Sequence, residues 1–317
     1  MSAVAAATAT QTPPVAVVDT MSGRVRKRLT SRTASIISLL IAVLWTIPTF
    51  GLLLSSFRPE REIKTTGWWT AFTNPSFTLE NYENVLFGTS STQLLSYFVN
   101  SIVIALPATI FALILCSLAA YALAWIDFKG RNWLFIGIFA LQIVPLQMAL
   151  IPLLQLFSNG AHVGSLTIVP DLNLTGSFVT VWLAHTAFAL PLGTYLLHNF
   201  ISEIPREMVE AARVDGAGHG AIFRKLMLPL ITPALASFGI FEFLWVWNDL
   251  LVALTFTGGT KDVAPLTVRL AEMAGSRGDR WERLTAGAFV SLIVPLVVFL
   301  SLQKYFVRGL LAGGLKG

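Results

Sequence analysis

The side chains able to do chemistry are few and scattered. One cysteine, Cys116, excludes an internal disulfide and a thiolate metal cluster. Four histidines, His162, His185, His198 and His219, form no H-E-x-x-H, and no G-x-S-x-G marks an activated serine. Gly258-Gly259-Thr260-Lys261 holds a lysine but lacks the spaced first glycine of a phosphate loop, G-x-x-x-x-G-K-[ST]. What remains are acids in unusual company. Glu242 and Asp249 sit in an apolar run with Trp245 and Asn248 between them. A flat aromatic face beside hydrogen-bonding groups can hold a polyhydroxylated solute. At about 100° per residue, Glu242, Trp245 and Asp249 share one helical stripe and Asn248 lies close beside it, with Phe238 and Phe241 on other faces. An intramembrane carboxylate costs about 2.5–3.5 kcal/mol on insertion scales, so it belongs in the bundle interior or against water. Inter-helix packing, or a cap near the end of the span, accounts for Asp249 equally well and for Glu242 at least as well. Asn100, Gln142, Gln147, Gln155 and His185 are further polar candidates.

The elements that must position these groups follow from composition. The chain has 317 residues, 55% hydrophobic and only 12% charged, and its mean hydropathy is +0.70. A soluble domain carries about 25% charged residues, so this composition points to an integral membrane protein. The 22 Phe and 9 Trp exclude disorder for most of the length. A net charge of +5 fits basic cytoplasmic loops better than nucleic acid in a chain that crosses a membrane repeatedly. Residues 1–33 read as a disordered tail, rich in Ala, Thr, Pro and Val, that ends in Arg24, Arg26, Lys27, Arg28 and Arg32. The run Ala34–Phe57 is too long for a signal-peptide core and ends without a cleavage site, so it is expected as a retained first span.

Five further runs reach the roughly 20 residues a bilayer requires: Tyr97–Trp125, Trp133–Phe157, Phe178–Phe200, Ile231–Leu254 and Leu284–Phe306. The expected fold is therefore all-α, with six membrane helices, and no alternating pattern suggests a barrel. Pro145, Pro152 and Pro191 fall in the third and fourth spans, where proline either hinges a helix or is simply tolerated. Basic residues are denser in the tail, at Lys129 and Arg131, along Arg206–Lys225 and at Lys304, Arg308 and Lys316 than in the alternate segments. That places both termini in the cytoplasm. The loop holding Lys261, Arg269, Arg277, Arg280 and Arg283 departs from this bias. Arg58–Gln93, polar and aromatic, is expected to form an ordered outer cap or partner surface.

The inner loop Ile201–Leu228 is too polar to span. Pro205 suits the first turn of a helix, with Ser202 as its cap. Ile204, Met208 and Ala212 make a narrow apolar stripe, and Gly216 supplies a left-handed turn after it. A second short helix, His219 to Met227, should stop before Pro229. A helix lying on anionic lipid carries Lys and Arg opposite bulky apolar residues. This one has an acidic first half and two alanines, which suits docking into a protein groove.

Here a family resemblance enters. Glu210-Ala211-Ala212, then Gly216, then Leu226-Met227-Leu228-Pro229 resembles the EAA motif of inner-membrane components of binding-protein-dependent ABC importers, with Leu226 where the pattern prefers Ile. Arg58-Pro59-Glu60, Asn100-Ser101, Tyr121-Ala122-Leu123, Phe128-Lys129-Gly130, Trp247-Asn248-Asp249 and the ending Gly309–Gly317 resemble its carbohydrate branch, with conservative departures at Gly314 and Leu315. The resemblance covers residues 34–317 and implies a type I permease fold in a prokaryotic plasma membrane. It implies an α-linked di- or oligosaccharide delivered by an extracytoplasmic binding protein, a second permease, and two cytoplasmic ATPase subunits that bind ATP and Mg. This chain itself would hold no cofactor and hydrolyse nothing.

The resemblance also distributes roles. Glu210, Ala211, Ala212, Asp215, Gly216, Leu226, Leu228 and Pro229 would couple to an ATPase within a loop spanning 201–229. Gly313, Gly314, Leu315, Lys316 and Gly317 would contact the same partners from a tail at 307–317. Glu242, Trp245, Asn248, Asp249, Asn100, Gln142 and Gln147 are the substrate-path candidates. The rival class, an ion-coupled secondary transporter, needs an inverted repeat and matched broken helices, and neither is evident in the sequence.

Overall fold

A computed structural model describes residues 32–88, 93–274 and 280–314; most of the expected N-terminal tail and Leu315, Lys316 and Gly317 lie outside the described residues. The chain falls into two compact units, Met1–Leu52 and Leu53–Gly317. The described part of the first unit is nearly all of helix α1 (Arg32–Ser56), which runs unbroken through Pro48. The missing donor of a proline is tolerated in a membrane helix when neighbouring groups or small local adjustments re-satisfy the freed carbonyl.

The second unit begins with a cap made of α2 (Glu60–Thr65), a 3-10 turn (Trp68–Phe72) and α3 (Glu80–Phe87). Arg58 fastens it. Its side chain is 1% exposed, and its guanidinium donates to Gly67 O at 3.1 Å, Thr66 Oγ1 at 2.5 Å and Thr70 Oγ1 at 3.0 Å. Asn81 Nδ2 closes the other side on the carbonyls of Ser56 and Arg58. Arg58→Ala removes these three donated bonds and the 3.6 Å pairing with Glu62 and empties a buried volume, a cost of about 3 kcal/mol. Trypsin should then cut within residues 60–72 of membrane-embedded protein at least several-fold faster; wild-type resistance would mean that the cap is held by something else.

The membrane core is built on α4 (Leu95–Trp125), α7 (Phe178–Ser202) and α10 (Leu228–Asn248), with α13 (Trp281–Gly314) packed on α10. α4 and α7 make the most extensive pairing. Ala105, Ala108, Ala112, Cys116 and Ala120 form a fully buried small-residue stripe on α4, the device by which helix backbones approach closely in lipid. Gly193 of α7 answers it, in a place where a Cβ would overlap the Phe238 ring and stand 2.6 Å from Cys116 Sγ.

Three expected elements differ. The third run is not one helix. α5 (Arg131–Ala140) continues as a 3-10 turn to Ile143, and α6 (Leu146–Asn159) leaves at 108°. Val144 is extended at the break, as a residue before proline prefers. Five described helices are therefore long and apolar enough to cross a membrane, or six if the bent pair is one span. The fifth run starts earlier and ends earlier than expected, because α9 (His219–Ile222) continues through a π turn into α10. Pro229 does not stop it: Leu228 N–H bonds back five residues to Phe223 O, and the missing proline donor falls at that change of register. Beyond Phe306, where a tail is expected from 307, α13 carries on through Gly314, since no proline interrupts Val307 to Ala312 and the single Gly309 costs only about 1 kcal/mol.

A small hairpin, β1 (Ala161–Val163) with β2 (Leu166–Val169), joins α6 to α7. Gly160 precedes it at φ +66°, where a Cβ would collide with Val169 O. His162 Nε2 donates to Asn159 O at 2.8 Å and approaches Asp171 Oδ1 at 3.0 Å. The Asn159 carbonyl, then Asp171, hold its pKa above the ordinary histidine value of about 6.5. The charged form thus favours the closed hairpin. Its contribution is complete below the unfolded pKa and disappears as pH rises through the folded one. Amide protection over 161–169, corrected for intrinsic rates, should fall from about pH 6 to about pH 8, and His162→Gln should flatten that dependence. A flat wild-type profile would remove the histidine from the account.

Candidate functional site

Two places gather the candidate residues. The first is the loop after α7. α8 (Arg206–Val214) starts at Pro205, which occupies the cap position without a side-chain cap bond. Ser202 is instead the last residue of α7, so it does not cap α8. The buried residue is Val209, 1% exposed, with Ala212 half-buried and Met208 turned outward. The expected stripe was one step off because Ile204 lies in the turn ahead of the helix. Outward stand Glu207, Glu210, Ala211, Val214, Asp215 and Gly216.

The end of α8 is closed as a Schellman motif. Gly216 has φ +83°, its N–H bonds to Arg213 O at 3.0 Å, and Ala217 N–H bonds to Ala212 O at 2.9 Å. Glycine is required here for its backbone alone, since a Cβ would meet nothing within 4 Å. α9 is moored to α4 by Tyr121, whose hydroxyl lies 2.9 Å from His219 Nδ1 and whose ring packs 5.3 Å from Phe223. Ile222, Met227 and Val209 enter the same apolar cluster as Cys116, Leu197 and Phe238, with Leu226 packed against it. Leu226 thus faces the core, Leu228 is half-buried and Pro229 is exposed. Packed side chains thus link α8 to α9 and to the continuous α9–α10 rod. Sequence reading found the acid-and-alanine face and its glycine turn. The Tyr121–His219 mooring pairs residues 98 apart and left no local signal.

The second place is a cavity of about 630 Å³ between the Val144-Pro145 break, α7 and α10. Its polar wall is Gln142, His185, Glu242 and Trp245. Glu242 is only 4% exposed and, among the described residues, has neither an ion pair nor a hydrogen bond. Trp245 is 49% exposed and edges the opening. Phe238 and Phe241 line the same cavity, contrary to the expectation of other faces, because the break in the third span brings a wall around that side of α10.

The remaining candidates are engaged elsewhere. Asp249 lies just past the end of α10, in extended backbone, and not inside the helix. Its carboxylate accepts from Val252 N–H at 3.2 Å and Ala253 N–H at 2.8 Å, which caps α11 (Leu251–Thr257), and it stands 3.6 Å from His185 Nε2. Asn100 donates to Lys261 O and Ala264 O and so ties α4 to the segment before α12 (Leu266–Ala274). Asn248 bonds within its own helix to Leu244 O. Gln147 is exposed and outside the cavity wall. Gly313 and Gly314 end α13.

Known proteins resemble this chain in sequence and in fold. The model of the family described as binding-protein-dependent transport system inner membrane component matches residues 113–311. The osmoprotective compounds uptake permease protein GgtD of Synechocystis is 52% identical over 282 residues, covering 88% of this chain and 90% of that one. The alpha-glucoside transport system permease protein AglG of Rhizobium meliloti is 51% identical over 251 residues, 79% of this chain and 63% of that one. A solved bacterial ABC transporter that imports the polysaccharide alginate has a chain that superposes with a TM-score of 0.67 at 20% identity, covering 87% of this chain and 98% of that one; that likeness establishes the fold. A helical membrane core, an outward-facing Glu-Ala-Ala helix closed by Gly216, and these matches together make the chain a member of the binding-protein-dependent inner-membrane component family, a permease subunit of an ABC importer and not an enzyme.

Proposed function

We propose that this chain forms half of the translocation route for an α-linked di- or oligosaccharide or a related glucosyl solute. A second permease forms the other half, and an extracytoplasmic binding protein delivers the solute. Two ATPase subunits, which bind ATP and Mg, work from the cytoplasm, where both termini of this chain also lie. The observation that carries this reading is the outer face of α8. It presents three exposed carboxylates, Glu207, Glu210 and Asp215, beside the small side chain of Ala211, yet on its inner side Val209 and Ala212 pack into the cluster that holds Phe238 of the helix walling the cavity. Glu210, Ala211, Asp215 and Gly216 dock the ATPase, and Ala212, Leu226, Leu228 and Pro229 support that surface from behind. Gly313–Gly317 touch the same partner. Within the cavity, Glu242, Gln142 and His185 offer hydrogen bonds and Trp245 a flat face. Asn100, Asn248 and Asp249 shape the path instead of touching the solute. The substrate class rests on the alpha-glucoside and osmoprotectant permeases that share half of the aligned residues.

The test is transport by the complete complex in proteoliposomes. Labelled maltose and trehalose should accumulate with ATP and binding protein present and be insensitive to ionophores. Uptake that needs an ion gradient and not ATP would defeat the coupling reading. ATP-driven uptake of some other sugar class, with neither disaccharide carried, would defeat only the substrate assignment.

A further inference from the structure

A second cavity, of about 480 Å³, opens where the end of α4, the start of α5 and the end of α7 converge. Its polar wall holds Trp125, Arg131, Asn132, His198, Ser202 and Arg206. This is a different chemistry from the first cavity: two guanidinium groups, and no carboxylate among the wall residues. Arg131 spends one terminal nitrogen on Asp127 Oδ1 at 2.9 Å and on Ile126 O at 3.5 Å, which leaves the rest of its donor fork free. Arg206 makes no ion pair among the described residues. Two more nitrogens in the wall, Trp125 Nε1 and His198 Nδ1, are buried with no hydrogen-bond partner. Buried unpaired polar groups cost about 1–3 kcal/mol each, and an indole N–H can only donate. The first turn of α5 adds backbone N–H groups with no side-chain cap, and such a helix end favours an anion. On its other side the cavity is apolar, lined by Phe135, whose tilted ring lies 4.2 Å from that of His198, and Ile136.

Donors without acceptors, positive charge, and an adjoining apolar wall at the end of membrane helices specify an anion that carries its own hydrocarbon. We propose that this cavity holds the phosphate of an anionic phospholipid headgroup, of the phosphatidylglycerol type. Arg131 and Arg206 grip the phosphate oxygens, the indole N–H of Trp125 bonds one of them, and the glycerol and upper chain lie along Phe135 and Ile136. Basic pockets between membrane helices recognise lipid phosphates in this way. Arg206 is the first residue of α8, so the lipid braces the base of the helix that meets the ATPase. That this lipid belongs to the cytoplasmic leaflet rests on the proposed siting of that loop; that the pocket binds it does not.

The test reads lipid binding on the complete transporter without any uptake assay, so a failure here is separate from a failure of the transport reading. The complex is solubilised from membranes of mixed phosphatidylglycerol and phosphatidylcholine, and the tightly retained lipid is counted by mass spectrometry. Wild type should retain phosphatidylglycerol in preference, and the preference should weaken as salt rises. Arg131→Gln with Arg206→Gln should lower it by about thirtyfold, from roughly 1 kcal/mol for each basic residue at the headgroup. The Arg131→Lys, Arg206→Lys pair, which keeps the charge, should hold most of it and so separate loss of binding from loss of fold. An unchanged preference in the glutamine pair overturns the proposal. So does equal thermal stabilisation of the complex in phosphatidylcholine nanodiscs by inorganic phosphate, which would make the site one for the free ion.

Discussion

Gly216→Pro should abolish uptake by the assembled transporter while the permease remains in the membrane at its normal level. Proline fixes φ near −65°, whereas Gly216 sits at +83°. The substitution also deletes the N–H that bonds to Arg213 O and, by turning the chain, breaks the Ala217-to-Ala212 bond. Both closures of α8 go at once, and Asp215 and Glu210 are aimed elsewhere. Glu210→Lys is the companion variant, because Glu210 is exposed and its replacement leaves the fold alone. If an ATPase groove reads this acidic face, the reversed charge should lower uptake at least tenfold, since like charges brought together at an interface cost several kcal/mol. It should also release the ATPase during purification. Uptake and co-purification at wild-type levels in Glu210→Lys would remove this face from coupling, whatever Gly216→Pro does.

The second large effect belongs to the packing of the core. Gly193→Val places a branched side chain where even a Cβ overlaps the Phe238 ring and stands 2.6 Å from Cys116 Sγ. Neither neighbour can step aside, because Cys116 is fully buried and Phe238 is 3% exposed within one cluster. Overpacking a dense core costs about 1–3 kcal/mol, occasionally more, and three added carbons between three helices belong at the upper end. The midpoint of thermal unfolding in detergent should fall by several degrees, and less protein should survive extraction. Gly193→Ala combined with Phe238→Leu should recover most of the loss by returning the space. A Gly193→Val protein as stable as wild type would show that α7 does not meet α4 and α10 this closely.

What the chain alone determined was whatever one residue or one short window can state. A low share of charge and apolar runs of adequate length set the membrane class. The Glu210-Ala211-Ala212 to Pro229 spacing marked the family, and Gly216 announced the left-handed turn after α8, because that conformation is a property of glycine itself. Directions and partners needed the tertiary structure. Val144-Pro145 breaks a run that hydropathy reads as continuous, since hydropathy counts transfer energy and is blind to a backbone angle. Pro229 failed to stop a helix because a π turn ahead of it absorbed the missing donor. Most of all, the polar residues of the membrane region were alike in sequence and were sorted only by what folding placed beside them. Asn100 met the carbonyls of Lys261 and Ala264, more than 160 positions away, and Asp249 met the open N–H groups of a helix start. Glu242 met none of these and was left facing a cavity. A buried polar group takes whichever partner packing brings within reach, and that partner is chosen by the fold and not by the neighbouring residues.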